Sequence, residues 1–476
     1  MRTLPFFVSV LLLVSVLAHP IPLGEGPENP SPLSSDWTIE VVDSFGRVGL
    51  WNSIAADANG FPHMSYQDID GVTLKYARWT GTKWSNETVD IGGGFSSIAL
   101  DSKSNPHIGH ANKHDDELDL VYSNWTGSVW SSEVLDSAGD VGRDVSLAFD
   151  VNDWPRMSYE REYSPLYQKD EHRLKHAAWN GSAWNIEVIE SLPDGIGRTS
   201  IAVDSMGNSH ISYSRHVGEN WTLKYASWNG SAWNIEIVDT DGSVGVHNDL
   251  ALDGLDRPHI AYYDQTNEDL KYASWNGSAW NASVVDSAGW VGSESSIAID
   301  GSDRPHIGYF NTVQHDLKYA SWNGSVWNIE TVDFDGLFTQ KLSLALDGDD
   351  LPHMSYLDWM NMNLKYATKA KLGPAPESED PVADAGQDQV VTEGTGVQFD
   401  GTGSYGKDKL SFELTEPIRV NNVTDGDQKS MSIAKNSQGH ILVAWRDRWD
   451  PGHADIYFAK SVNGGTSFED DVKVTE

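Results

Sequence analysis

The chain of 476 residues contains no cysteine, which removes disulfides, thiol nucleophiles and thiolate metal sites at once. Basic residues are scarce: 33 Lys and Arg stand against 70 Asp and Glu, a formal net charge of −37. A field of that sign repels phosphate backbones and anionic lipid headgroups, so nucleic acid and membrane surfaces are poor partners. No segment sustains apolar residues at helical spacing, and long apolar runs are missing after the first residues. The one such run, Leu4 to Leu17, follows Arg2 and ends at the small Ala18. It reads as a secretory signal peptide over residues 1–18, too short to span a bilayer, and predicts an extracellular or cell-surface protein. Residues 19–35, rich in Pro, Gly and Glu, read as a flexible leader. No GxSxG, HExxH or P-loop occurs, and no cofactor is expected. Calcium is the one cation the acidity would suit, and no DxDxDG run supports it.

What the chain has in abundance is repetition. LKYASWNGSAWNIE, from Leu223, recurs with small changes from Leu174, Leu270 and Leu317, more weakly from Leu74 and Leu120, and truncated as LKYAT from Leu364. A period of 46 to 54 residues between these leucines marks a solenoid, propeller or array. Turn signals cut each unit into four short segments rich in Val, Ile, Tyr and Trp, which is strand composition at strand length. Around Leu270 these are Asp249 to Asp253, Pro258 to Asp264, Leu270 to Trp275 and Ala279 to Asp286. Asn276-Gly277 joins the last two as a tight hairpin turn.

The ends of the array predict a closed ring. The seventh unit has Ser343 to Asp347, Pro352 to Asp358 and LKYAT but lacks a fourth strand, and that strand stands ahead of the first unit as DWTIEVVD, Asp36 to Asp43. The predicted fold is therefore all-β: a monomeric seven-bladed β-propeller of four-stranded antiparallel blades over residues 36–370, closed by the N-terminal strand, plus a small C-terminal β region.

Residues 371–380 read as a charged, Pro-containing linker. Residues 381–410 contain PVADAGQDQVVTEGTGVQFDGTGSYG, which resembles the opening of a PKD domain without the WDFGDG-type core of that family. Over 411–476 a single blade pattern returns as SIAKN, HILVAW and DIYFAKSV, and SVNGGTSF, Ser461 to Phe468, resembles the Asp-box of sialidase-like propellers. This region reads as the start of a truncated second propeller, because one blade cannot bury both its faces alone.

Three polar positions repeat in every unit. Ser or Asp opens the first strand (Ser53, Ser97, Ser146, Ser200, Asp249, Ser296, Ser343), Asp ends it (Asp57, Asp101, Asp150, Asp204, Asp253, Asp300, Asp347), and six residues on comes His, or Arg156 in the third unit. Imidazole is a common metal ligand, but seven copies around a ring cannot converge on one ion, so a bracing hydrogen-bond network is expected. The paired tryptophans, such as Trp228 and Trp233, are read as packing in preference to sugar-stacking platforms. The NGS turns are sequons by pattern and turn chemistry by preference.

Function is expected where the repeats differ. First-to-second and third-to-fourth connections share one face and are monotonous, whereas second-to-third and fourth-to-first connections differ in every unit. Candidate ligand residues on or near that variable face are Trp51, Asp70, His114, Glu160, Tyr163, Tyr167, Arg198, Trp221, Tyr263, Asp264, Trp290, His315 and Trp359, with Arg156 of the odd third unit. Aromatic rings beside acids and amides furnish saccharide or peptide sites, so the expected partner is a glycan or a cell-surface protein. The sialidase-like resemblance implies instead an arginine triad, a Tyr/Glu nucleophile pair and an Asp acid over the channel. No FRIP motif is present, and no carboxylate pair stands out at glycosidase separation. A binding module is the leading expectation, a glycoside hydrolase or other polysaccharide-acting enzyme the alternative, and a purely structural envelope protein the third. An enzyme would bring two carboxylates and arginines together in one pocket over the channel.

Overall fold

The computed structural model describes residues 37–114, 117–161, 172–334 and 341–370, and near the C-terminus 427–435, 441–450, 453–461 and 472–473. The expected signal peptide, leader, linker, PKD-like segment and Asp-box turn lie outside the described residues, as do Tyr163 and Tyr167.

Residues 37–370 form seven four-stranded antiparallel sheets. Their innermost strands are Val48–Ala56, Gly93–Leu100, Val141–Phe149, Ile196–Val203, Val244–Leu252, Val291–Ile299 and Ser343–Leu346. Each lies against the next, and Ser343–Leu346 returns to Val48–Ala56, so the sheets are the blades of a closed propeller. Closure is by the expected strand: Thr38–Asp43 pairs antiparallel with Asn363–Thr368, placing Thr38 opposite Thr368 and Val41 opposite Lys365. A separate four-stranded antiparallel sheet is built from Asp427–Lys435, Ile441–Asp450, His453–Ser461 and Val472–Lys473.

One expectation is corrected. The first strand around Leu270 was placed at Asp249 to Asp253, yet it begins at Val244, and the stretches read as fourth-to-first loops in other units open the innermost strands. The apolar alternation there is broken because the register slips twice, at Val244/Val246 and Val246/Asp249 in the fifth blade. A bulge adds residues to one strand without ending it, so a strand with two slips reads as a loop.

Neighbouring innermost strands exchange no ladder, and a ring of side chains takes its place. Ser343, Ser53, Ser97, Ser146 and Ser200 accept, through Oγ, the backbone N–H of Ile54, Ile98, Leu147, Ile201 and Leu250 in the following blade. Asp249 and Ser296 do the same for Ile297 and Leu344. Farther out, apolar side chains of adjacent blades interleave, as where Leu223 and Tyr225 meet Leu250, Ile260 and Tyr262.

The blades are also clamped by buried charge. At six junctions a carboxylate ending one blade's fourth strand accepts both a tyrosine O–H and a lysine ammonium from the next blade. These sets are Asp43 with Tyr66 and Lys75, Asp136 with Tyr159 and Lys175, Glu190 with Tyr213 and Lys224, Asp239 with Tyr262 and Lys271, Asp286 with Tyr309 and Lys318, and Asp333 with Tyr356 and Lys365. At the seventh junction His110 and Val121 replace Tyr and Lys, and His110 Nε2 lies 3.7 Å from Asp90.

The repeated histidines are structural. His63, His107, His210, His259, His306 and His353 each meet a tyrosine hydroxyl through Nδ1 and face the Asp ending their own first strand through Nε2. In the third blade Arg156 fills that place, donating to Asp150 and to the Trp179 carbonyl. The tryptophans pack: Trp84, Trp130, Trp184 and Trp280 stand edge-on against a tyrosine of the preceding blade and donate Nε1–H to a glutamate there.

Candidate functional site

In six blades the residue two places before the ring Ser or Asp sits at a slip in register of the innermost strand, and in the seventh the equivalent residue, Lys341, just precedes Ser343–Leu346. Reading around the ring, these residues are Trp51, Phe95, Asp144, Arg198, His247, Glu294 and Lys341, no two alike. Six of them have a left-handed backbone, with φ of 53° at Trp51, 51° at Phe95, 47° at Asp144, 25° at Arg198, 54° at His247 and 56° at Glu294. A non-glycine residue there costs about 1 kcal/mol or more, so the surroundings must impose it. They do. The residue after the slip donates its side chain to the slipped carbonyl of the preceding blade: Asn52 to Lys341, Ser96 to Trp51, Thr199 to Asp144, Asn248 to Arg198 and Ser295 to His247. Two places before the slip Gly245, at φ 94°, approaches the Leu223 backbone so closely that a Cβ would stand 2.7 Å from its Cα. The scaffold repeats and is braced, while the one side chain per blade at the channel is left free to differ.

Three of them, Asp144, Arg198 and Lys341, line a cavity of ≈ 190 Å³ together with Asp249 and the ring serines. One side of the ring is aromatic: Trp51 and Phe95 stack at 4.1 Å between centroids, with the Arg143 guanidinium 5.6 Å from the Phe95 ring. The other side is charged. Arg198 reaches over the fifth blade to pair with Glu294 of the sixth. Burial alone would lower the Arg198 pKa, but Glu294 and Asp144 raise it; burial would raise that of Glu294, but Arg198 and His247 lower it. His247 Nδ1 accepts the Glu294 backbone N–H at 2.9 Å, which places the proton of the neutral ring on Nε2. Burial lowers its pKa, opposed by Glu294. Lys341 donates to the Ser96 carbonyl at 3.2 Å, and burial, helped by Arg198, brings its pKa down to about 8.

Several of these groups have hydrogen-bonding capacity left over. Asp249 is saturated: it accepts from Ser200, Leu250, Ser296 and Ile297. The Asp144 carboxylate accepts no hydrogen bond among the described residues. The hydroxyls of Ser53, Ser97, Ser146 and Ser343 accept a backbone N–H each and donate to nothing among the described residues.

Of the residues singled out in the sequence, Trp51 and Arg198 stand in this ring. Tyr263 flanks it, 6.2 Å between ring centroids from His247. Glu160 pairs with His172 at 3.2 Å and lies opposite Arg143 in the sheet. Trp221 covers Gly197 beside Arg198. Trp290 and Trp359 are exposed on the variable face, and His315 turns the chain there with φ 60°. Asp70 pairs with Arg47 at 2.8 Å in an exposed loop. Asp264 is buried and caps its own turn through Thr266 and Asn267. The backbone of His114 ends the second strand of the second blade. Arg156 belongs to the opposite face, beside the inner strand's far end. Sequence reasoning did not single out Phe95, Asp144, His247, Glu294 or Lys341. The signal was there: W, F, D, R, H, E and K occupy one position of an otherwise repeating strand.

No family model matches the chain, and no curated protein does. Solved structures do resemble it. An ulvan lyase of a then-new polysaccharide lyase family is 13% identical over 69% of this chain and 95% of its own, with a TM-score of 0.48. A protein of unknown function from Dyadobacter fermentans is 11% identical over 69% of this chain and 97% of its own, with a TM-score of 0.44. A microbial sialidase is 9% identical over 64% of this chain and 75% of its own, with a TM-score of 0.42. The likeness is one of fold.

Proposed function

We propose that the protein is an exported binding module that holds a glycan at the variable face of the propeller, over the central channel. The observation that carries this reading is the ring of seven unlike side chains at one braced position. In a ring built of near-identical units, structural needs are met by the serines, clamps and histidines that repeat, so the position that never repeats is free to serve a ligand. Its chemistry suits a saccharide: a stacked aromatic pair offers a face to C–H groups, and convergent donors and acceptors address hydroxyls. A glycan array probed with residues 31–372, with release of reducing ends and of unsaturated product measured alongside, tests it. Retention on one glycan class without turnover is expected, and Trp51→Ala should weaken it at least tenfold. Failure to retain any glycan sinks the reading.

A second reading, a polysaccharide-acting enzyme, is favoured by one feature. Asp144, Asp249 and Arg198, with Glu294 paired to the arginine, do gather at the channel, beside an amine whose pKa is brought down to about 8. The arginine is single and neutralised by Glu294, and Asp249 is tied by four donors, so the cluster offers less than the separated acid and base that glycosidic cleavage requires. Turnover abolished by Lys341→Met would favour the enzyme.

A further inference from the structure

We propose that the glycan enters the channel end-on, one neutral terminal sugar unit occupying the cavity while the rest of the chain leaves across the variable face. This rests on the glycan-binding reading and adds which part of the glycan is read.

Size comes first. Pockets that enclose a drug-sized ligand run to about 300–1,000 Å³, and the cavity here is ≈ 190 Å³. That accommodates a single ring and not a stretch of chain. A chain lying across the face would leave the cavity's unspent hydrogen-bonding groups to water.

Charge comes next. Arg198 is cancelled by Glu294, and Asp249 by four donors, which leaves one cation, Lys341, and one anion, Asp144, among the described residues of the cavity wall. A charged terminal unit attracted by one is repelled by the other, in a partly buried site where such terms are not screened away. A neutral unit meets no such penalty.

The inventory of free groups then points to hydroxyls. Asp144 can only accept, whereas Lys341 and the four ring serines have protons to give. A sugar hydroxyl accepts and donates at once, so adjacent hydroxyls of a single ring can satisfy both kinds. An apolar end would strand all of them, and a site of buried polar groups rejects a ligand that leaves them unpaired.

The test is equilibrium titration of the full chain with glucose, galactose, mannose, rhamnose and N-acetylglucosamine as neutral probes and glucuronic acid as the charged one. Each is also set in competition with the polymer that the array identifies. At least one neutral monosaccharide should saturate and displace that polymer completely, and polymer binding should scale with chain ends when it is shortened at constant mass. Asp144→Asn keeps shape and tolerates the left-handed backbone; it and Lys341→Met should each weaken the monosaccharide at least tenfold while leaving the circular dichroism spectrum and melting temperature unchanged. Polymer retained without competition from any neutral monosaccharide overturns end-on entry and leaves the glycan-binding reading standing. Tighter binding of glucuronic acid than of every neutral sugar, or indifference of binding to both substitutions, overturns it as well. No glycan binding of any kind removes both.

Discussion

Asp43→Ala should cost the propeller about 3–5 kcal/mol, the range found when one partner of a buried ion pair is removed. Asp43 is almost fully buried and accepts the Tyr66 hydroxyl at 2.7 Å and the Lys75 ammonium at 2.5 Å. Its removal strands a largely buried ammonium that has no other carboxylate in ion-pair range among the described residues. Five other junctions carry the same clamp, but this one differs in what it joins. Asp43 ends the strand that closes the ring, and that strand is held to the last blade by hydrogen bonds and the packing of Val42, without the short covalent turn that joins the strands of the other blades. Equilibrium urea unfolding should give the loss, and hydrogen exchange should show it locally, as faster exchange across Thr38–Asp43 and Asn363–Thr368. Asp286→Ala, between two covalently consecutive blades, should cost a similar free energy without that signature. Adding Lys75→Met to Asp43→Ala should recover much of the loss, since an apolar replacement of both partners is often neutral. A loss below about 1 kcal/mol for Asp43→Ala would show that the clamp is more solvated than its burial implies.

The fold was legible because repetition makes each unit vouch for the others. Seven copies of a four-segment pattern, with the missing segment at the opposite end, leave few architectures to consider, and the pairing of Thr38–Asp43 with Asn363–Thr368 is the expected one. The site was legible in two residues of seven. Trp51 and Arg198 stood out by type, whereas Phe95, Asp144, His247, Glu294 and Lys341 are ordinary residues some 47 apart in sequence that meet only when the ring shuts. The strands carrying Asp144, His247 and Glu294 were also disguised, since two slips of register erase the alternation that marks a strand. The clamps were hidden for a related reason. Tyr262 and Lys271 both repeat visibly, but that they share Asp239 of the blade before depends on which edge faces which, and spacing alone does not say. Arg156 misled because it differs from its counterparts in kind while doing the same work, bracing the turn through Asp150.

Acid should unfold the protein well before its carboxylates titrate in bulk. Burial lowers the pKa of His63 from 6.5 to about 4, against the opposing pull of Asp57. Burial likewise lowers His107, His110, His210, His259 and His353, in each case against the attraction of a neighbouring Asp. Above pH 6.5 these rings are neutral whether the chain is folded or not, and they contribute nothing to pH dependence. As pH falls below 6.5 the unfolded chain takes up protons that the folded one refuses, so stability drops, and it goes on dropping until the folded pKa is reached. For His63, only 6% exposed, the loss between pH 6.5 and 4 amounts to about 3 kcal/mol. Lowered aspartates such as Asp136, Asp239 and Asp286, where burial is outweighed by hydrogen bonds from a lysine and a tyrosine, push the same way at lower pH. Each further ring lowered in the same direction adds to that loss, against the margin of about 5–15 kcal/mol on which folded proteins rest. Urea unfolding at pH 7, 5.5 and 4.5 should therefore show a midpoint that falls steadily from pH 6.5 downward. The double variant His110→Tyr with Val121→Lys, which gives the seventh junction the clamp of the other six around Asp90, should be close to wild type at pH 7 and more stable than it at pH 4.5. A midpoint flat from pH 7 to 4.5 would mean that the rings charge in place, each against its Asp, and that burial does not govern their protonation.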